Sequence, residues 1–484
     1  MQEQRNLTML TDLYELTMMY GYYKHDMQKK QVVFDLFFRK SAGQSVYAIV
    51  AGLEQIIGYI ENLHFAEEDI AYLRTLNLFD EDFFDILKNI KFTGEIYAMK
   101  EGEIAFPGEP LIRVKAPIIE AQLIETALLN IVNHQTLIAT KASRVVYAAK
   151  GDGILEFGLR RAQGPDAGIY GARAAIIGGC IGTSNVLTGQ MFDISVKGTH
   201  AHSWVMTFPT ELDSFRAYAS VFPDACLLLV DTYDTLRSGV PNAITVFKEL
   251  REKGHKPVGI RLDSGDLAYL SKKARIMMDD AGFEDAKIFA SNDLDEHLIW
   301  DLKAQGAKID VWGVGTSLIT SRDNPALGGV YKLVSEFDEK GNEVPKIKLS
   351  DNPEKITTPG YKKVYRLYNK DTHKALADYI ALDDEELDDS KPLTIFDPNA
   401  TWKRMTLNNY YAKALLHPIF VDGKCVYEKP TLKEIAAYAK QGIDSLWDEY
   451  KRLSNPHVYK VDFSQNLYDT KQKLLSSVKE DTIK

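Results

Sequence analysis

The strongest constraint on this chain is a rhythm that begins at Gly153. Six short apolar runs, GILEFG (153–158), ISVKGTHAH (194–202), ACLLLVDTYD (225–234), PVGIRLDSG (257–265), AKIFASND (286–293) and IDVWGVGTS (309–317), are each followed by an amphipathic helical stretch. They recur roughly every 20 to 40 residues, the spacing of βα units built around a parallel sheet. Each run ends in polar residues, and parallel α/β sheets and barrels place ligands at that end of their strands. The expectation is an α/β fold with a binding rim at the carboxyl ends of the series.

The flanks have a different texture. Residues 7–25 read as a helix, QVVFDLFFRK (31–40) as a strand, and 93–116 as a small antiparallel sheet alternating around Gly and Pro turns. A helical pattern without Gly or Pro follows over 118–149. After Ala326 β texture returns, in VYKLVSEFDEKGNEVPKIKLS and KKVYRLYNKDTHKALADYIAL, as if the chain re-enters its first domain. The expected organisation is 1–130 and 331–400 as one sandwich domain, 131–330 as the βα domain, and 401–484 as a mostly helical extension.

Charge narrows the partners. With 484 residues and a net charge of −10, the chain lacks the basic surface of a nucleic-acid binder. Local arginines still permit small anionic substrates. Cys180, Cys226 and Cys425 are far apart, which excludes a cysteine zinc site and fits a reducing compartment. Neither a signal peptide nor a membrane-spanning run is evident, so a cytoplasmic location is expected.

In order, the strand ends offer Phe157, Arg160, Arg161, Thr199, His202, Asp231, Arg261, Asp263, Ser291, Asn292, Gly313, Gly315 and Thr316. Singly, Asp231, Ser291 or Asn292 reads more readily as a cap on the next helix; six successive strand ends of this kind read as a rim. VGVGTS presents backbone N–H groups with little side-chain obstruction, as a phosphate cradle does. Arg261 can hold a carboxylate or phosphate with its planar fork. Asp263, two residues on, can accept from sugar hydroxyls or hold Mg²⁺ through water, although an internal Arg–Asp ion pair is the plain alternative. Phe157 beside Arg160 and Arg161 suits a flat, anionic, aromatic ligand, or else a core ring with two surface cations.

His200 and His202 form an HxH pair, a known metal motif that needs further ligands. Neither His255, in a turn, nor His297, inside a helical stretch, is placed to supply one. A single histidine acting as base or nucleophile is the more economical reading, with a metal-dependent barrel hydrolase as the remote alternative.

With these residues in view, the chain resembles the nicotinate phosphoribosyltransferases, type II phosphoribosyltransferases. The resemblance rests on LTDLYELTM (10–18), FDLFFRK (34–40), EFGLRRAQGPDA (156–167), GTSN (182–185), KGTHAHSW (197–204), GIRLDSGDL (259–267), ASNDLDE (290–296), GVGTSL (313–318), NPALGGVYKL (324–333) and KLSDNPEKITTPG (348–360). It implies an incomplete, seven-strand (β/α) barrel with a flanking α+β sandwich, and a homodimer whose active sites lie at the subunit interface. It also implies an ATP-coupled glycosyl transfer, formally a ligase reaction, that joins nicotinate to 5-phosphoribosyl 1-pyrophosphate in NAD salvage.

The resemblance makes His202 the phosphorylated histidine and His200 incidental. It sets Tyr14, Phe157, Arg160, Thr199 and Arg261 toward nicotinate, with Tyr14 reaching in from the partner subunit. Ser291, Asn292, Gly313, Gly315 and Thr316 are set toward the phosphoribosyl and pyrophosphate groups, with Asp263 beside the reaction. Mg²⁺ and ATP are expected, with no protein ligand assigned to the metal. The nearest competitor, nicotinamide phosphoribosyltransferase, resembles the chain less at GTSN, where it carries an aspartate in place of Ser184. A carboxylate there would accept from an amide and repel nicotinate.

Overall fold

The apolar runs pair in parallel. The computed structural model describes residues 5–39, 47–352 and 355–483. Lys40 of FDLFFRK and residues 353–354 of KLSDNPEKITTPG lie outside them. The chain divides into two units, one of Met1–Leu137 with Ala326–Lys484, the other Ile138–Pro325.

The second unit is built on a six-stranded parallel sheet. Its order is Gly182–Thr183, Gly153–Glu156, Val311–Val314, Lys287–Asn292, Gly259–Leu262 and Leu227–Leu229. Leu228, Ile260, Ile288 and Trp312 are fully buried at its centre. Burial on both faces is why these strands read as continuous apolar runs rather than alternating ones.

ISVKGTHAH does not form a seventh full strand. Val196 makes an isolated parallel bridge to Thr183, and the chain then loops into the helix His202–Met206. Side chains stand in for the missing ladder toward the opposite edge: the Thr199 hydroxyl donates to the Leu227 carbonyl at 2.5 Å. His200 Nε2 accepts from the Leu229 N–H at 3.3 Å. The βα sheet is therefore a barrel left incomplete by backbone pairing, its gap stitched by Thr199 and His200.

The first unit is antiparallel in its main sheet. Seven strands run in the order Glu343–Pro345, Gly329–Phe337, Gln31–Phe38, Ile112–Pro117, Glu95–Ala98, His417–Val421 and Lys424–Cys425. The strand after Ala326 thus pairs with the first strand of the chain, Phe34 opposite Leu333. A second sheet joins Tyr410–Ala414, Lys362–Asn369, Ala375–Leu382 and Val461–Phe463. The last 84 residues are not a helical appendage alone: strands of both sheets come from this stretch, alternating with helices such as Leu432–Ser445 and Gln465–Ile483.

Two local readings shift as well. The first helix is Leu13–Lys24, begun by a capping box between Asp12 and Glu15 in LTDLYEL. The pattern over 118–149 is two helices, Ile118–Leu123 and Glu125–Ala148, parted at Ile124. No Gly or Pro marks that break. Among the described residues no helix is long and apolar enough to cross a membrane.

Candidate active site

The helices that follow the strands have their own caps. Asn185, Asp234, Asp266 and Asp295 accept from backbone N–H groups in the first turns. Asp231, Ser291 and Asn292 are not among them, so capping does not account for these three.

Arg261, at the end of Gly259–Leu262, is the centre of one cluster. Its Nε donates to Ser291 Oγ at 2.8 Å, and one Nη donates to Asp263 Oδ1 at 3.0 Å. The Ser291 hydroxyl also donates to Asp263 Oδ1. The guanidinium carbon stands 6.0 Å from the centre of the Phe157 ring. The internal Arg–Asp pair does form, yet it engages only part of a five-donor guanidinium. A planar anion can take the donors that face away from Asp263.

Gly313 keeps that ring in place. A Cβ there would stand 2.6 Å from Phe157 Cδ2, so only glycine lets the ring lie against the neighbouring strand. The main chain fixes the same register, because the Phe157 N–H donates to the Val314 carbonyl at 2.8 Å. Gly315 precedes Thr316, the first residue of the short helix Thr316–Ile319. Asn292 holds a positive φ of 130°, unusual for a residue with a side chain, at the mouth of its strand.

Asp231 joins this cluster to His202. Its Oδ2 accepts from the Asp263 N–H and the Ser264 hydroxyl, both at 2.7 Å. Oδ1 lies 3.2 Å from His202 Nε2. The Asp231 side chain is 2% exposed and that of His202 is 39% exposed, so a buried carboxylate holds an accessible imidazole. This is the arrangement that orients histidines working as nucleophiles or bases. Sequence reasoning left Asp231 without a role; its one signal is its place at the end of CLLLVD, a strand end with no cap to supply.

His200 behaves differently. It is 8% exposed, edge-on to Tyr218 at 4.7 Å, and its Nε2 is committed to a backbone N–H. Burial is the main reason that its pKa falls to about 4. Both ring nitrogens of His200 are engaged, Nε2 by the Leu229 N–H and Nδ1 by the Ala201 carbonyl at 3.5 Å, so His200 has no free lone pair to share a metal with His202.

A second missed residue is Glu156, fully buried, accepting from the Thr183 hydroxyl at 2.6 Å and from the Gly158 N–H. Burial raises its pKa. It ties the Phe157 loop to the strand that leads into Ser184, whose N–H in turn donates to the Glu156 carbonyl at 3.0 Å. Arg160 and Arg161 are exposed on the short turn Leu159–Arg161. Among the described residues they have no carboxylate partner. Thr199 spends its proton on Leu227, leaving its oxygen as an acceptor. Tyr14 belongs to the first unit, 45% exposed on its helix, with burial and the Glu125 carboxylate raising its phenol pKa.

Comparison with known proteins agrees along the whole chain. The nicotinate phosphoribosyltransferase N-terminal domain matches residues 9–133, the family's central region 153–382, and its C-terminal domain 361–471. A nicotinate phosphoribosyltransferase of Bacillus subtilis (strain 168) is 52% identical over 474 residues, covering 98% of this chain and 96% of its own. The chain belongs to the nicotinate phosphoribosyltransferase family. The Homo sapiens member is 33% identical over 517 residues, with 95% of each chain covered. The crystal structure of human nicotinic acid phosphoribosyltransferase superposes with a TM-score of 0.85 at 30% identity, covering 96% of this chain and 99% of that one. Against that family background, the clustering of Phe157, Arg261, Asp263 and Ser291 with Asp231 and His202 is a property of this chain's own geometry.

Proposed function

We propose that the strand-end rim transfers a phosphoribosyl group to nicotinate, giving nicotinate mononucleotide and pyrophosphate. The observation that carries this reading is the Arg261–Ser291–Asp263 cluster against the Phe157 ring, beside the Asp231-held His202. An aromatic face next to a guanidinium fits an aromatic carboxylate. The bond from ribose C1 to the pyrophosphate oxygen breaks as the pyridine nitrogen's lone pair forms the new bond, through an oxocarbenium-like state. The nitrogen needs no strong general base, so the protein's work is positioning and charge placement.

Asp263 Oδ2, free of hydrogen bonds among the described residues, is the carboxylate oxygen suited to Mg²⁺. The other donors would be pyrophosphate and water. The metal would offset negative charge on the leaving group. Ser291, Asn292, Thr316 and the backbone at Gly313 and Gly315 are the groups that face the phosphates.

ATP is coupled through His202. With Nε2–H donated to Asp231, Nδ1 carries the lone pair that attacks the γ-phosphorus of ATP; the bond to the bridging oxygen breaks and ADP leaves, and water then cleaves the phosphoimidazole to return the histidine and inorganic phosphate. Phosphorylation adds charge beside the rim and reorders it. The same reading includes a homodimer with Tyr14 entering from the partner subunit, a cytoplasmic location and a place in NAD salvage. Ser184, a neutral residue at its strand end, supports the acid over the amide as substrate.

The test is mononucleotide formation from nicotinate and from nicotinamide with phosphoribosyl pyrophosphate and Mg²⁺, with and without ATP, in wild type and His202→Ala. Nicotinate turnover stimulated by ATP, with the stimulation lost in the variant, is expected. Stimulation that survives in the variant overturns the role of His202. Preference for nicotinamide overturns the substrate.

A further inference from the structure

The first unit contains a cavity of about 930 Å³ that the proposed chemistry does not use. It lies among the end of strand Gln31–Phe38, the 397–405 turn, the strand Val461–Phe463 and the helix Gln465–Ile483. No residue of the strand-end rim lines it. Its size falls in the range of small-molecule sites.

Its charges do not balance. Lys362 is matched by Asp35 at 2.8 Å. Lys403, Arg404, Lys460 and Lys471 also line the cavity, and among the described residues none has a carboxylate within 4.0 Å. Arg39, at the mouth of its strand, adds a buried Nε that meets no acceptor among the described residues. Against these cations, among the described residues that line the cavity, stand Asp397 and Asp462, with Asp35 already matched to Lys362. Asp462 is pushed up to about 6, by burial first and then by Asp397, so it is the first to lose its charge on mild acidification.

Lys471 shows the imbalance most clearly. It is half-buried, its Nζ 5.6 Å from the centre of the Phe463 ring, and burial followed by the Lys362 charge lowers its pKa. A concave wall of unmatched cations focuses positive potential and concentrates anions.

We propose that this cavity binds a small anion of the phosphate class, held by Lys471 together with Lys403, Arg404 and Lys460. Inorganic phosphate, pyrophosphate and the phosphate tail of a nucleotide share the chemistry that these groups recognise. Arg404 supplies a planar fork and the lysines compact point charges, the usual division of labour around phosphoryl oxygens.

The test is lysine acylation of the full-length protein, read by mass spectrometry at each lysine. Inorganic phosphate, pyrophosphate and ATP are added separately, with chloride at matched ionic strength as control. Labelling of Lys471, Lys403 and Lys460 is expected to fall with at least one phosphate compound and not with chloride. The compound that protects at the lowest concentration separates free phosphate from a nucleotide tail.

Protection is expected to persist in Thr316→Glu, where a carboxylate set among the phosphate-facing groups of the rim repels anions there. The anion concentration needed should rise about tenfold in Lys403→Gln and in Arg404→Gln, as for loss of one charge-assisted contact. Both positions are exposed, so folding is not at stake. Equal protection by chloride, no protection by any anion, or protection abolished in Thr316→Glu overturns the proposal.

Discussion

Replacing Asp231 with asparagine probes the join between the two halves of the site. The native carboxylate makes three contacts: two through Oδ2 at 2.7 Å, and one from Oδ1 to His202 Nε2 at 3.2 Å. Asparagine keeps one carbonyl oxygen, which can still serve the Asp263 N–H and the Ser264 hydroxyl. Its NH₂ then faces Nε2, donor toward donor, and the imidazole must turn away or switch tautomer.

A hydrogen bond to a charged group contributes about 1.5–3 kcal/mol and a neutral one about 0.5–1.5 kcal/mol. The two retained bonds therefore weaken by about 2–3 kcal/mol together, seen as a lower urea midpoint. The lost His202 contact costs about 1.5–3 kcal/mol in whichever step uses that nitrogen, or roughly 10- to 150-fold in rate. The assay is mononucleotide formation with saturating substrates, with and without ATP, alongside urea unfolding. ATP stimulation should collapse toward the unstimulated rate, which itself changes less. Stimulation within twofold of wild type in a correctly folded variant refutes the orienting role.

Three further outcomes are expected. Gly313→Ala places a methyl 2.6 Å from the native position of Phe157 Cδ2; the ring must shift, and the KM for nicotinate should rise about tenfold with the fold intact by circular dichroism. An unchanged KM would mean that the ring does not contact substrate.

His200 has a folded pKa of about 4 against an ordinary 6.5, so its contribution to stability is present above pH 6.5 and is lost as pH falls toward 4. That amounts to about 3 kcal/mol, and His200→Phe should flatten this part of the stability–pH curve in chemical denaturation. An unaltered slope would place the proton elsewhere.

Arg366 is fully buried between Asp378 at 2.6 Å and Glu103 at 2.8 Å. Arg366→Met leaves two buried carboxylates unmatched and should destabilise the first unit by about 3–5 kcal/mol. A loss under 1 kcal/mol would contradict the pairing.

The parallel series was legible because strands buried on both faces must be apolar throughout, while their ends are free to carry function. The return of Gly329–Phe337 to pair with Gln31–Phe38 follows the β texture after Ala326, whereas the order of strands in the parallel sheet has no counterpart in the hydropathy pattern. What the pattern misread is ISVKGTHAH. Its alternation suits a strand, but the contacts that close the gap run through the Thr199 and His200 side chains, and hydropathy does not register side-chain-to-backbone bonds. The break at Ile124 was equally silent, since no Gly or Pro accompanies it. At the site, the chemistry-bearing residues were visible as types at strand ends, whereas their partners were not. Asp231 links residues more than 28 positions away in both directions, and Glu156 works from full burial. Neither relation has a local signature.

The central claim is that Arg261 faces the carboxylate of the substrate. Its most direct test compares kcat/KM for nicotinate and for nicotinamide in wild type and Arg261→Gln. The variant is expected to lose about 30- to 1,000-fold on the acid, the range for removing a charge-assisted, forked contact of about 2–4 kcal/mol, and far less on the amide, so selectivity collapses. An equal loss on both substrates, with selectivity unchanged, would contradict the account.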